Sequence, residues 1–202
     1  MNPIKVQKDH YDQQALFTKI EKLSEKIGSQ SLWASVRAPY QFVESWLTTQ
    51  AISGKKFLDY GCGHGIHSIF PAVNGGFVTG VDISRKQIEL GKIRASECGV
   101  ENQTSFQVGN CEELHFKDDS FDIVFSGGTL SCIDLRKAYC ELSRVVKPNG
   151  YVIVADTLGH NPIVNLNRKV KLKRGLKTRW SVEHILKLPD LYASRRHFGK
   201  IE

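Results

Sequence analysis

The chain has 202 residues, 41% of them hydrophobic, enough to bury one core of domain size. Its five cysteines are an odd number without a C-x-x-C pair, which suggests neither a disulfide framework nor a zinc knuckle and fits reduced thiols in a cytoplasm. The net charge of +7 would suit an anionic partner, but seven Lys or Arg and no acid fall in "RKVKLKRGLKTR", Arg168 to Arg179, so the remainder is nearly balanced.

From the N-terminus, "MNPIKVQKDHYDQQ" has no apolar h-region, and no run approaches the roughly 18 apolar residues of a spanning helix. Gln13 to Gly28 places Leu16, Ile20, Leu23 and Ile27 at the spacing of one helical face, with Gly28 as a stop. A second helix is predicted over Tyr40 to Thr49, where Phe42, Val43, Trp46 and Leu47 share a side. The rhythm then changes to short apolar or β-branched segments, "KFLDY", "FVTGVD", "TSFQVG", "FDIVFS" and "YVIVAD". Stretches of helical period lie between them, such as Lys86 to Cys98 and Leu135 to Val146. Such alternation predicts an α/β fold with a doubly wound, mostly parallel sheet covered on both faces. Beyond "YVIVAD" the sequence offers one helix, Val182 to Leu188, and one short strand candidate, "RHFGKIE". Residues 1–50 then read as an N-terminal helical lid or extension, and 51–202 as the ligand-binding domain.

"KFLDYGCGHGIHS" is a strand running into glycines and a helix, the place where doubly wound sheets bind ligands. Gly61, Gly63 and Gly65 let a ligand approach the backbone closely. A dinucleotide fingerprint would need a third glycine where Ile66 stands, so the register is wrong for NAD. Asp59, two residues before the first glycine, would repel a pyrophosphate and suits an ammonium or sulfonium group. Asp82, ending "FVTGVD", can accept both hydrogen bonds of a ribose diol.

On these residues the stretch from Lys55 to Asp156 resembles the class I S-adenosylmethionine-dependent methyltransferases, in their small-molecule branch. The resemblance implies S-adenosyl-L-methionine as cofactor. "FLDYGCGHG" is similar to the family's first motif, so Asp59, Gly61, Cys62 and Gly63 would meet the methionine portion, and "VDIS" to its ribose motif, Asp82 with Ile83. "GNCEELHFKDDSFDIVFS" resembles the segment bordering the adenine. Asn110 would meet the exocyclic amine and the Cys111 backbone the ring edge, with Glu112 nearby and Ser126 closing the fourth strand. The family's sheet has seven strands, so the C-terminal strands are expected to be incomplete and the segment from Arg196 either to dock beside "YVIVAD" or to belong to a longer C-terminus.

Several departures qualify the match. Asn110 replaces a more frequent Asp, and Asn149 stands in "KPNG", where it tolerates a left-handed turn. Pro71 should kink or shorten the helix after the glycines. Ser131 and Cys132 occupy positions where relatives often carry histidines. His160, after the fifth strand, is then the candidate for a catalytic contact with the acceptor. His64 and His67 read as loop-packing or solvent-facing, His115 as exposed edge, and Glu183 beside His184 as no dyad, since helix neighbours diverge. Tyr11 and Arg37 precede the sheet, where the resemblance implies an N-terminal lid over the cofactor, and are lid or acceptor candidates. No metal spacing is present.

The expected reaction is methyl transfer to a small-molecule or lipid-like acceptor, with the basic segment favouring an anionic one or a peripheral membrane contact. Methyl transfer from a sulfonium is largely in-line positioning, so no obvious base is required. An RNA methyltransferase and a non-catalytic cofactor-binding protein are the alternatives. Specific nucleic-acid binding is not expected, because "SGGTLSC" lacks the Asn or Asp with paired prolines and an aromatic that base methylation commonly uses.

Overall fold

The computed structural model describes residues 2–16 and 38–199. Five strands form one sheet: β1 (Lys56–Tyr60), β2 (Phe77–Asp82), β3 (Thr104–Val108), β4 (Phe121–Gly127) and β5 (Val146–Ala155), in the order β3-β2-β1-β4-β5. Every pairing is parallel. The order reverses between β1 and β4, which opens a crevice at their carboxyl ends.

Strand alternation sorts the core into two layers. Phe57, Val78, Phe106, Ile123 and Phe125 face one side, against Val43 and Leu47 of α2 (Ala38–Thr49), Ile69 of α3 (Ile66–Val73) and Ile88 of α4 (Arg85–Glu97). Leu58, Tyr60, Val81 and Val124 face the other, against Ala138, Leu142 and Val145 of α5 (Leu135–Val145). Leu142 is fully buried, so truncating it to Ala would cost about 2–5 kcal/mol. On α2, Val43 and Leu47 are buried as the periodicity predicts, but Phe42 is 74% exposed. Pro71 lies in the last turn of the eight-residue α3, and Asn149 takes φ 64° in the turn that feeds β5, both in line with the sequence reading.

The termini depart from expectation. The first helix, α1, runs Pro3–Leu16, with Asn2 accepting the Ile4 N–H at 3.0 Å as its cap, so its start was missed. The helix predicted from Gln13 to Gly28 lies outside the described residues beyond Leu16, as does Arg37. After β5 come three helices where one was predicted: α6 (Pro162–Lys173), α7 (Arg179–Glu183) and α8 (Leu188–Ser194). The predicted Val182–Leu188 helix divides because Thr178 caps α7 and Pro189 opens α8. Residues 195–197 form a turn rather than a strand, and Phe198 packs edge-on to Tyr139 of α5 instead of beside β5. The outer edge of β5 has no partner strand among the described residues. No helix among them is long and apolar enough to cross a membrane.

Candidate active site

β1 turns into the glycine loop at Gly61 (φ 72°), Gly63 (φ 50°) and Gly65 (φ 72°). The Gly61 and Cys62 N–H groups both donate to the Val81 carbonyl at 2.9 Å, tying the loop to β2. From the other side the Thr129 hydroxyl donates to the Tyr60 carbonyl at 3.1 Å, so close that a Cβ on Gly61 would lie 2.2 Å from its oxygen. The Gly63 N–H donates to one Asp82 carboxylate oxygen and the Ser84 N–H to the other, each at 2.9 Å. Burial pushes the Asp82 carboxyl up, while those backbone bonds oppose the shift. A carboxylate has about four lone-pair sites, so both oxygens can still accept from a ligand.

Beside this loop lies a cavity of about 300 Å³. Its floor is the glycine loop, Asp82 and Ile83, one end is Asn110 to Glu112, and its roof is α1 through Ile4, Gln7, Tyr11 and Gln14. α1 is held there by Asp12, which accepts from the Ser84 hydroxyl at 2.5 Å, and by a 3.2 Å contact between the Tyr11 hydroxyl and the Cys132 thiol. Several polar atoms of lining residues are buried without a partner: both amide atoms of Gln7, Oε1 of Gln87, Nδ1 of His64 and Nε1 of Trp180. Each such group costs about 1–3 kcal/mol. All four of these residues line the one cavity.

The predicted site residues divide. Gly61, Cys62, Gly63, Asp82, Ile83, Asn110, Cys111 and Glu112 all line this cavity. Asp59 does not: it is 3% exposed behind the loop and accepts the Ser68 hydroxyl at 2.7 Å. The expected contact with an ammonium gives way to a role inside the scaffold, because Asp59 points to the α3 face of β1 while the cavity lies beyond the strand end. Burial lifts its carboxyl to about 7. Ser126 is fully buried within β4, its hydroxyl without a partner, and does not line the cavity.

Around Asn110 the polar atoms are partly engaged. Its Oδ1 accepts the Glu112 N–H at 3.0 Å, leaving the amide nitrogen for a ligand. The Cys111 carbonyl accepts the Tyr60 hydroxyl at 2.6 Å. Glu112 caps the start of α5 through the Asp134 N–H at 3.0 Å and pairs with Lys137 at 3.2 Å. His160 is exposed, and its Nε2 accepts the Leu188 N–H at 3.0 Å, fastening the loop after β5 to α8. It lines neither cavity, in contrast to the contact with the acceptor that the sequence suggests.

A second cavity of about 290 Å³ adjoins the first. The two share a wall of His64, Ile66, His67, Gly127 and Gly128. The far side of the second consists of Tyr40 from α2, Asp156 and Thr157 at the end of β5, Arg168 from α6, and Lys177. His67 stacks on Tyr40 with ring centroids 4.6 Å apart. Burial, His64 and Arg94 bring His67 down to about 3, and burial with Arg94 lowers His64, so both rings are neutral near pH 7. They are hydrogen-bonding and packing groups there, not strong bases. Asp156 accepts the Thr157 N–H at 2.7 Å and the Ser131 N–H at 3.3 Å, and burial raises it. Sequence reasoning missed this second group. The available signals are the position of Asp156 at a strand's carboxyl end and the seven cations of 168–179, which the sequence reading assigns to an anionic acceptor or a membrane contact without placing any one of them in a site.

Residues 52–192 match the model of a family described as "Methyltransferase domain". The chain is 31% identical over 142 residues to the methyltransferase GfsG of Streptomyces halstedii, covering 69% of this chain and 51% of that one. It is 30% identical over 136 residues to the sterol 4-C-methyltransferase strm-1 of Caenorhabditis elegans, covering 67% and 39%. Among solved structures, the fold matches geranyl diphosphate C-methyltransferase from Streptomyces coelicolor A3(2) with a TM-score of 0.68 at 16% identity, over 97% of this chain and 78% of that one. The chain thus spans about half or less of the length of these two curated relatives.

Proposed function

Since the chain belongs to the methyltransferase-domain family, we propose that it transfers a methyl group from S-adenosyl-L-methionine to a small-molecule or lipid-like acceptor. The observation that carries this reading is the pair of cavities sharing one wall, the first lined by Gly61, Cys62, Gly63 and Asp82, the second by none of these. The first is the cofactor's and the second the acceptor's. Of residues 1–50, α1 acts as the lid over the first cavity while α2 packs on the sheet, and 51–202 act as the catalytic domain. The five thiols, all free, suit a reducing compartment, the cytoplasm.

The lining residues fit this cofactor. Asp82 has lone pairs left for the ribose diol, the Asn110 amide and the Cys111 backbone border the end where the adenine would lie, and the unpartnered Gln7 amide and Gln87 oxygen await polar partners. A Cβ on Gly63 would meet only the Gln87 Oε1, at 4.0 Å, so the bare backbone there leaves room for close approach. When bound, S-adenosylmethionine supplies a methyl group already activated on a sulfonium. The chain's own contribution is positional. Thr129 and Val81 hold the glycine loop rigid, α1 excludes water from above, and His64 and His67 sit between the cavities as neutral groups that neither repel a sulfonium nor compete as strong bases.

The acceptor is of anionic character, a reading supported by Arg168 and Lys177 on the second cavity's wall. An RNA substrate is disfavoured by the same feature, because part of the basic segment turns inward instead of forming one continuous surface. The relatives' names, a sterol methyltransferase among them, support a small-molecule acceptor. Incubation with methyl-labelled S-adenosylmethionine and fractionated metabolites, lipids and RNA tests the proposal. Label is expected in a metabolite or lipid fraction. Label confined to RNA, or no transfer despite cofactor binding, would overturn it.

A further inference from the structure

The wall of the second cavity carries an unbalanced charge. Arg168 is 6% exposed, its Nη2 donates to the Ser181 carbonyl, and its Nε is buried without a partner. Lys177, half-buried, makes neither an ion pair nor a hydrogen bond with any described residue, and Lys171 adds positive potential beside it. The acid on this wall is Asp156, with both oxygens already accepting backbone N–H groups. The histidines are neutral near pH 7. Among the residues that line the cavity, two cations against one carboxylate leave an excess of one positive charge, and the cavity is large enough for a ring-sized molecule.

Keeping two like charges close together, partly out of water and with one carboxylate between them, is unfavourable unless something further compensates. Burial and Arg168 both push the Lys177 ammonium down, the signature of that cost. An ordinary structural role for Arg168 would leave Nε paired, as buried guanidinium donors generally are. A solvated surface role would leave Lys177 outside the cavity.

Resting on the reading of this cavity as the acceptor's, we infer that the methyl acceptor carries a carboxylate, which sits against Arg168 and Lys177 and neutralises the excess charge. A single negative charge matches the count. A doubly charged phosphate monoester would exceed it, and a neutral acceptor would leave it standing. The anchored carboxylate fixes one end of the acceptor at the β5 side of the cavity and turns the remainder toward the shared wall of His64, His67, Gly127 and Gly128. Specificity for the acceptor is thereby separated from cofactor binding.

The test is calorimetric titration of the full chain, saturated with S-adenosylhomocysteine, with three ring-sized probes: benzoate, its neutral isostere benzamide, and phenyl phosphate. Benzoate is expected to bind at least tenfold tighter than benzamide and tighter than phenyl phosphate. In Lys177→Met the preference for benzoate over benzamide should fall below threefold while affinity for S-adenosylhomocysteine stays within twofold. Arg168→Met should act in the same direction, and Lys177→Met carries the test if the loss of the buried guanidinium unfolds the chain. Equal or undetectable binding of benzoate and benzamide, a preference for phenyl phosphate, or a benzoate preference that survives Lys177→Met would overturn the carboxylate site alone. Failure of S-adenosylhomocysteine to bind the wild-type chain would overturn the cofactor reading instead.

Discussion

The two cavities are built by different means. The first is backbone work: consecutive turns at Gly61, Gly63 and Gly65, N–H groups directed at Val81 and Asp82, and strand ends that the parallel sheet brings together. The second is side-chain work, with Tyr40, Asp156, Arg168 and Lys177 brought from α2, the end of β5, α6 and the segment before α7. A site of the first kind can receive one cofactor in one pose and leaves a contiguous trace in the sequence. A site of the second kind can change its ligand by single substitutions and leaves almost none.

The sharpest way to break this contrast is to damage the backbone-built site. Gly61→Ala places a Cβ 2.2 Å from the Thr129 hydroxyl oxygen and 2.8 Å from its Cβ, at a φ of +72° that L residues rarely adopt. A stability loss on the order of 5 kcal/mol is expected, with no measurable binding of S-adenosylhomocysteine. Thermal melting and calorimetry check both. A variant that folds and binds normally would mean that the loop is not held as described.

Asp59 offers the next largest effect. Its folded carboxyl is raised from 3.8 to about 7, chiefly by burial, with the Ser68 hydroxyl opposing and Asp82 adding to the rise. Between those values the folded chain retains a proton that the unfolded chain has released, so stability falls as pH rises through the window and levels off above it. The fall is on the order of 4 kcal/mol. Asp59→Asn keeps a hydrogen-bond acceptor for Ser68 and removes the ionisation. Urea denaturation at pH 5 and pH 8 should show that slope in the wild type and a reduced one in Asp59→Asn.

Gln7 separates stability from ligand binding. Both its amide atoms are buried without a partner. Gln7→Leu is therefore expected to stabilise the free chain by about 1 kcal/mol and to weaken S-adenosylhomocysteine binding severalfold, two effects of opposite sign in one variant. Melting with and without the ligand reads both. His160→Ala comes last: losing the acceptor for the Leu188 N–H at an exposed position should cost about 0.5–1 kcal/mol and leave turnover within twofold.

Legibility in the sequence follows the same division. All five strands were readable, and β1 and β2 have the predicted bounds, because buried parallel strands are short apolar runs and the glycine loop directly follows one of them. α1 was not, because its cavity-facing side is polar: Gln7 is buried, Tyr11 lines the roof and Asp12 reaches Ser84. Periodicity of apolar residues cannot find such a helix, yet Asn2-Pro3 was a capping signal in plain view, as was Asn161-Pro162 for α6. Asp59 lies outside the cavity for a different reason. Its place beside the glycines is sequence information, but the direction of its side chain depends on strand parity relative to the sheet, and Phe57 and Asp59 share the α3 face while Leu58 and Tyr60 face α5. Arg168 and Lys177 were visible as charge, but their inward direction depends on how α6 and α7 pack, which no local pattern encodes.

One paired measurement tests the division of labour directly: the affinity of S-adenosylhomocysteine for the wild-type chain, Asp82→Ala and Lys177→Met, by calorimetry. Asp82→Ala removes the carboxylate that accepts from Gly63 and Ser84 and faces the first cavity, so affinity should fall by about 1.5–3 kcal/mol, roughly ten- to a hundredfold. Lys177→Met, confined to the second cavity, should leave it within twofold. Unchanged affinity in Asp82→Ala, or an equal loss in both variants, would contradict the assignment of cofactor and acceptor to separate cavities.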